Sequence, residues 1–253
     1  METDSLELSM IVPCYNEEQV LGHTLRQLID AFAASGFRTE FICVDNGSSD
    51  RTGEIIQEFI DAGDPVVPTR VEVNIGYGNG VLQAIPLCQG SWIGIIPADG
   101  QVDAEDVVKL FSALRGTKGR CLGKVRRRFR LDGLKRKIIS VAYNMFVFML
   151  WPNLGTIDVN GSPKIVPADA MRKMKLHSKQ WFLDPELMVK AQKLGIKVLE
   201  VNVFAQMRSG GTSHVRMGTC WEFFSKLLKL RFGGAIRKWH GELEQESKDP
   251  KSE

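Results

Sequence analysis

The first half of the chain is constrained by one pattern: short apolar runs alternate with stretches of helical period. The runs are Leu8–Pro13, Glu40–Val44, Val66–Val73 and Trp92–Ile96. Between and after them, Glu17–Ala33, a segment capped by Ser49 and ending at Ile60, Gly80–Leu87 and Ala104–Leu114 read as helices. Apolar β-branched runs separated by helical stretches predict βαβ units, hence an α/β fold with a mostly parallel sheet and helices on both faces. Such sheets bind ligands beyond the carboxyl ends of their strands. A polar cluster follows each run there: Pro13–Glu17, Asp45–Asp50, Asn74–Gly80 and Pro97–Gln101.

No internal repeat or linker breaks the pattern, so residues 1–215 read as one domain. Cys220–Phe232 places apolar residues at 220, 223, 224, 227 and 228, with Glu222, Ser225, Lys226 and Lys229 facing away. That spacing predicts an amphipathic helix within 216–240. Residues 241–253 are polar and read as a disordered tail.

Charge is concentrated. The net charge is +3, yet Arg126–Lys137 holds seven basic residues and one acid, so the rest of the chain is net negative. Ile138–Ile157 follows with no charged side chain. Asn144, Pro152, Asn153 and Gly155 interrupt it, so it does not read as a transmembrane span. A helix over roughly 135–151, apolar on nearly all sides, is either deeply buried or lies on a bilayer, where the adjoining basic residues meet anionic headgroups.

Several chemistries are excluded. Gly76–Gly80 reads GYGNG with Val81 next, so it lacks the dinucleotide fingerprint G-x-G-x-x-G, and it follows the third run rather than the first. There is no P-loop, no H-E-x-x-H and no G-x-S-x-G. The four histidines are scattered and take no role. Five cysteines, odd in number and without C-x-x-C, predict reduced thiols in a cytosolic compartment. Met1–Leu8 has three acids and no apolar leader. The sequons at Asn46 and Asn160 carry no weight for a cytosolic chain.

One cluster points to metal chemistry. An acid just past an apolar strand, as in GIIPADGQ, can hold Mg²⁺ or Mn²⁺, which prefer one or two carboxylates with phosphate oxygens and water. In an extended segment Asp99 and Gln101 share a side. By itself an Asp-Gly pair is also an ordinary turn.

Taken together the segments are recognisable. IVPCYNEE (11–18), FICVDNGSSDRT (41–52), NIGYGNG (74–80), IIPADGQ (95–101), DGLKRKIISVAYN (132–144), DVNGSPKI (158–165), WFLDPELMVKA (181–191) and QMRSGGTS (206–213) resemble, in order, glycosyltransferase family 2. Within it they are similar to the dolichyl- and polyprenyl-phosphate sugar synthases. The resemblance implies a GT-A, Rossmann-like domain with amphipathic interfacial helices. It implies that Pro13, Tyr15 and Glu17 hold the nucleotide base and ribose, that Asp45 and Asn46 continue that pocket, and that Gly76 belongs to the donor-binding set. Asp99 and Gln101 would bind the metal bridging the sugar diphosphate. Asp184 would lie near sugar and acceptor, although Pro185 also lets it serve as a helix N-cap. Arg208 and Ser213 match a closing R-x-x-G-x-S element whose Arg contacts phosphate, and Lys124 and Lys164 match basic positions. Two residues depart from the pattern. Asn46 stands where many relatives have a second Asp, and Pro97 where mannosyl-phosphate synthases commonly carry a further metal-ligating Asp.

The resemblance implies a nucleoside-diphosphate sugar donor, a polyprenyl phosphate acceptor and inverting transfer. A phosphate monoester, with a second pKa of about 6, needs cations rather than a general base. Arg126, Arg127, Arg128 and Lys137 are the candidates to hold it, beside an apolar helix that could bed the lipid. The expected location is cytoplasmic, peripheral on the inner face of the membrane, with a membrane subunit or a homo-oligomer as further partners and no nucleic acid. Two alternatives stay open: a transferase acting on a soluble or protein-bound acceptor, and a catalytically degenerate subunit that binds nucleotide sugar.

Overall fold

The computed structural model describes residues 5–127, 134–156, 158–203 and 217–246. The order is β1 (Leu8–Cys14), α1 (Leu21–Ser35), β2 (Thr39–Asp45), α2 (Thr52–Asp61), β3 (Val66–Arg70), α3 (Tyr77–Ala84), β4 (Trp92–Ile95), α4 (Ala104–Arg115), β5 (Cys121–Arg127) and α5 (Leu134–Leu150). Then come β6 (Lys164–Pro167), α6 (Ala168–Lys173), α7 (Leu183–Lys193), β7 (Lys197–Val203), α8 (Met217–Phe232) and α9 (Ala235–Glu246). The seven strands form one sheet in the order β3-β2-β1-β4-β6-β5-β7. All neighbours pair parallel except β6, which runs antiparallel to both β4 and β5. The mostly parallel α/β reading therefore holds.

Period-two alternation sorts the strand residues onto two cores. Leu8, Met10, Val12, Phe41, Cys43 and Trp92 pack under α1, α2 and α4. Ile11, Ile42, Val44, Ile93 and Ile95 point the other way, toward α3, α5, α6 and α7. Helix α4 shows why its segment coils. Asp103 caps it by accepting from Glu105 N at 2.9 Å, acids fill its first turn, and Arg115 ends it. Its buried side chains, Val107, Leu110, Phe111 and Leu114, recur at helical spacing. Truncating Phe111, wedged among Phe32, Phe37 and Trp92, would cost about 3–5 kcal/mol.

Three expected boundaries move, each for a local reason. Helix α1 starts at Leu21 rather than Glu17, because the residues before it are tied to the loop after β2. Ser49 does not cap α2. The N-cap position is Arg51, with no side-chain cap, and Asp50 just before it accepts from the Thr52 backbone N at 3.0 Å and its hydroxyl at 2.6 Å. The polar stretch expected to be a tail from residue 241 is helical through Glu246, since α9 is pinned by the Trp239 indole donating to Lys173 O and by a Lys175–Glu246 ion pair at 2.6 Å.

Candidate active site

The first polar cluster and the second interlock. Asn46 N donates to Cys14 O at 2.9 Å, Asn16 N to Ser48 Oγ at 3.1 Å, Ser49 N to Asn16 Oδ1 at 2.9 Å, Glu17 N to Thr52 Oγ1 at 2.9 Å and Glu18 N to Asp50 Oδ2 at 3.1 Å. Asn16 accepts a left-handed φ of 53° to make its contacts, a conformation Asn tolerates well. Burial pushes the Asp50 carboxyl up, but hydrogen bonds from Thr52 and Glu18 outweigh it and hold the group below its ordinary range. The result is a rim with Pro13 and Glu17 half-buried and Tyr15 exposed at its lip. Asp45 lies beneath, buried, accepting from Ser48 N at 2.9 Å with Arg70 Nε 3.7 Å from its other oxygen.

Asn46 is buried and its amide donates to Asn74 Oδ1 and to Gly76 O, both at 3.2 Å. A carboxylate there would have nothing to donate to those two acceptors, which explains locally why this chain keeps an amide. Gly76 and Gly78 serve the chain itself. A Cβ on Gly76 would stand 2.5 Å from Lys179 O, and one on Gly78 2.2 Å from Ser178 O. The glycines let segment 178–180 pack onto the loop, where Asn79 N donates to Lys179 O at 2.8 Å and Gln180 Nε2 to Ile75 O at 2.6 Å. Close backbone approach accounts for Gly76 and Gly78 in the GYGNG run.

Asp99 sits half-buried just past β4, with Gln101 N donating to its Oδ1 at 3.2 Å in a turn that needs Gly100 at φ 64°. The side chain is not turned into the core. Among the described residues no three His, Cys, Asp or Glu side chains converge as a ready-made metal cage. The donor set fits a divalent ion that takes one protein carboxylate, with the remaining places left to diphosphate and water.

The antiparallel strand β6 brings Lys164 to the same edge, since Lys164 pairs with Ile95 of β4 and with Lys124 of β5. Both lysines are fully buried. Lys164 Nζ meets Asp184 Oδ1 at 2.6 Å. Lys124 donates to Thr156 Oγ1 at 3.0 Å, to Glu200 Oε1 at 3.1 Å and to the Asp158 carbonyl. An ammonium has three donors, so Lys124 has none to spare for a ligand; it organises the site rather than contacting substrate. Burial lowers its pKa and Lys164 adds to that, against the opposing pull of Asp158 and Glu200. Asp184 is not the N-cap of α7: it lies inside the first turn, no side chain caps that helix, and its carboxylate is committed to Lys164.

Tyr77, at the start of α3, and Tyr143, in α5, face Asp184; burial first and that carboxylate second push both phenols up. Tyr77 stacks on the half-exposed Trp181 at 5.0 Å. Tyr77, Tyr143, Trp181, Thr156 and Glu200 were not picked out by the sequence reading. Tyr77, Tyr143 and Trp181 fall inside the motif segments 74–80, 132–144 and 181–191, so their signal is position within a motif and not residue type. Arg126 is half-buried at the end of β5. Arg127 and Lys137 lie on described backbone, in β5 and at the start of α5. Arg128, Arg208 and Ser213 lie outside the described residues.

A mostly parallel sheet with an acid-bearing turn past β4 and a polar rim past β1 and β2 defines a GT-A-type glycosyltransferase fold. The family model described as "Glycosyl transferase family 2" matches residues 9–182, and the chain belongs to that family. It is 24% identical to a dolichyl-phosphate beta-glucosyltransferase of Trichomonas vaginalis, over 93% of this chain and 76% of that protein. It is 27% identical to a dolichyl-phosphate beta-glucosyltransferase of Dictyostelium discoideum, over 79% of this chain and 66% of that one. It is also 27% identical to a dodecaprenyl-phosphate galacturonate synthase of Rhizobium johnstonii, over 90% and 67%. The chain thus spans about two thirds to three quarters of these relatives. Glucosyl-3-phosphoglycerate synthase of Mycobacterium tuberculosis, crystallised with Mn²⁺, uridine diphosphate and glucosyl-3-phosphoglycerate, shares the fold at a TM-score of 0.71 and 19% identity, over 90% of this chain and 80% of that one. Among the described residues no helix is long and apolar enough to cross a membrane.

Proposed function

We propose that the chain transfers a sugar from a nucleoside-diphosphate sugar to a polyprenyl phosphate, with inversion, at the cytoplasmic surface of a membrane. The observation that carries this reading is the juxtaposition, at one sheet edge, of Asp99 past β4 with the Lys164–Asp184 pair that β6 brings alongside. The activities of these three relatives, all on dolichyl or dodecaprenyl phosphate, support the acceptor class.

The chemistry follows from charge. An oxygen of the acceptor phosphate forms the bond to the anomeric carbon. The bond from that carbon to the donor diphosphate breaks, and its electron pair leaves with the nucleoside diphosphate. A dianionic phosphate has no proton to surrender, so an acid already paired with Lys164 suffices at residue 184: it orients the sugar rather than acting as base. The rim of Pro13, Tyr15, Glu17 and Asp45 binds the nucleoside. Arg126, Arg127, Arg128, Lys137 and Arg208 hold phosphate groups that would otherwise repel each other, and Ser213 closes the donor side. Asp99 and Gln101 would hold Mg²⁺ or Mn²⁺, which supplies Lewis-acid neutralisation of the leaving diphosphate. Release of nucleoside diphosphate, followed over a panel of nucleotide sugars with Mn²⁺ and a short polyprenyl phosphate, tests the proposal. One sugar should turn over only when the lipid phosphate is present. Binding of nucleotide sugar without turnover on any acceptor would refute it.

A further inference from the structure

Trp181 lies just before α7 with 50% of its surface open to solvent. The indole is nonetheless fixed. Its inner face is stacked on the Tyr77 ring, with centroids 5.0 Å apart and planes within 8° of parallel. Tyr77 in turn packs against the core. The backbone on either side of Trp181 is tied down as well: Asn79 N donates to Lys179 O at 2.8 Å and Leu183 N to Gln180 O at 3.2 Å. One face of a flat, held ring is therefore covered by Tyr77, and the other is presented to solvent.

A lone exposed Trp needs no explanation; its position does. The stack stands between the two halves of the site. On one side, the loop that leads into Tyr77 is tied to the nucleoside rim, because Asn46 Nδ2 donates to Asn74 Oδ1 and to Gly76 O. On the other, α7 carries Asp184, which Lys164 holds at 2.6 Å. The two sides meet at Tyr77, whose phenol is pushed up first by burial and then by the Asp184 charge. A donor with its nucleoside on the rim and its sugar reaching Asp184 has to lie across the stack.

We infer that the outer face of Trp181 is the platform on which the donor's pyranose ring lies, with Asp184 accepting from a hydroxyl at the ring's edge. The inference rests on the transfer reading above and names the residue that tells a nucleotide sugar from a bare nucleotide. A pyranose has two needs at once. Its ring C–H groups form an apolar face with slight positive charge, which suits the negative π face of an indole. Its hydroxyls need acceptors in the same place. Asp184 gives Oδ1 to Lys164 and keeps a second oxygen for a hydroxyl. A nucleobase stacked on the indole would desert the rim past β1 and β2. A prenyl chain there would set hydrocarbon against the Asp184 carboxylate. Because Tyr77 already holds the indole, little rotamer freedom is lost when the sugar docks.

Calorimetric titration of the full chain with Mn²⁺ tests this. The probes are UDP-glucose, UDP-galacturonate and GDP-mannose, each compared with its own nucleoside diphosphate. For the nucleotide sugar that the wild-type chain binds, Trp181→Leu should weaken binding about 5- to 10-fold, the scale of one lost ring-face contact. Binding of the nucleoside diphosphate should stay within about 2-fold of wild type. Trp181→Phe keeps a flat face and should recover most of the loss. A second readout needs no variant: in saturation-transfer spectra of the wild-type chain with Mg²⁺, irradiated in the aromatic region, the C–H protons of one sugar face should gain the strongest enhancement. Equal weakening of nucleotide sugar and diphosphate, no rescue by Phe, or enhancement confined to the base and ribose overturns the inference. So does a raised requirement for polyprenyl phosphate with donor affinity unchanged. A wild-type chain that binds a nucleotide sugar through this face yet transfers nothing to any acceptor sinks the transfer reading instead, and one that binds none of the three overturns both.

Discussion

The two halves of the site are built by different physics. The rim past β1 and β2 is held at the surface by exchanges between two adjoining loops, mostly backbone N–H groups donating to side chains of Ser48, Asp50, Thr52 and Asn16. The half formed by β5, β6 and α7 is held by fully buried charges, Lys124 and Lys164, whose partners come from 20 to 76 residues away along the chain. A rim of hydrogen bonds near the surface can give up one neutral member at modest cost. A buried ion pair stripped of one partner leaves an uncompensated charge.

Breaking the comparison at its most sensitive point means removing Lys164. Lys164→Ala should cost about 3–5 kcal/mol of folding stability by denaturant titration, and a double-mutant cycle with Asp184→Asn should show strong coupling. A loss under 1 kcal/mol would mean that the pair is not desolvated. One step outward, buried Glu186 accepts from Lys190 Nζ at 2.7 Å, from Ser178 N at 2.9 Å and from His177 N at 3.2 Å, fixing the segment that packs on the GYGNG loop. Glu186→Gln should cost about 1.5–3 kcal/mol. Burial pushes the Glu186 carboxyl up, but Lys190 and Ser178 outweigh it, so its folded pKa lies below the ordinary glutamate value. Its contribution is therefore present above that ordinary value and is lost as pH falls through the depressed one. Melting temperature followed down into that acid range should fall more steeply for wild type than for Glu186→Gln; parallel curves would refute the assignment.

On the donor side the expected effects shrink. Gly78→Ala drives a Cβ toward Ser178 O and should cost about 1–3 kcal/mol, with a rise in the donor requirement as the loop shifts. Trp181→Ala removes a half-exposed stack on Tyr77 and should cost about 0.5–1.5 kcal/mol. If its effect on sugar transfer exceeds its effect on stability, the stack lines the sugar site; equal effects would make it a packing contact only.

The same contrast explains what could be read from residues alone. The loops past β1 and β2 are legible because each follows its own strand, so order along the chain already places them at one edge. Asp99 is legible for that reason, and its half-exposed setting past β4 agrees. The commitment of Lys124 to Thr156, Asp158 and Glu200 was not legible, because it depends on β6 inserting antiparallel between β4 and β5, which no local period announces. Nor were the glycines' partners, since segment 178–180 lies a hundred residues from Gly76 and Gly78. Helix α9 escaped because its polar sequence is held by Trp239 and Lys175, contacts a compositional reading cannot see.

The most direct measurement replaces the carboxyl of residue 99 by an amide. Asp99→Asn keeps the turn's shape, so the melting temperature should stay at the wild-type value, while the rate of nucleoside diphosphate release with Mn²⁺ and a polyprenyl phosphate should drop at least about 100-fold, the scale of losing one transition-state charge contact. Turnover at the wild-type rate by the amide variant would contradict the account.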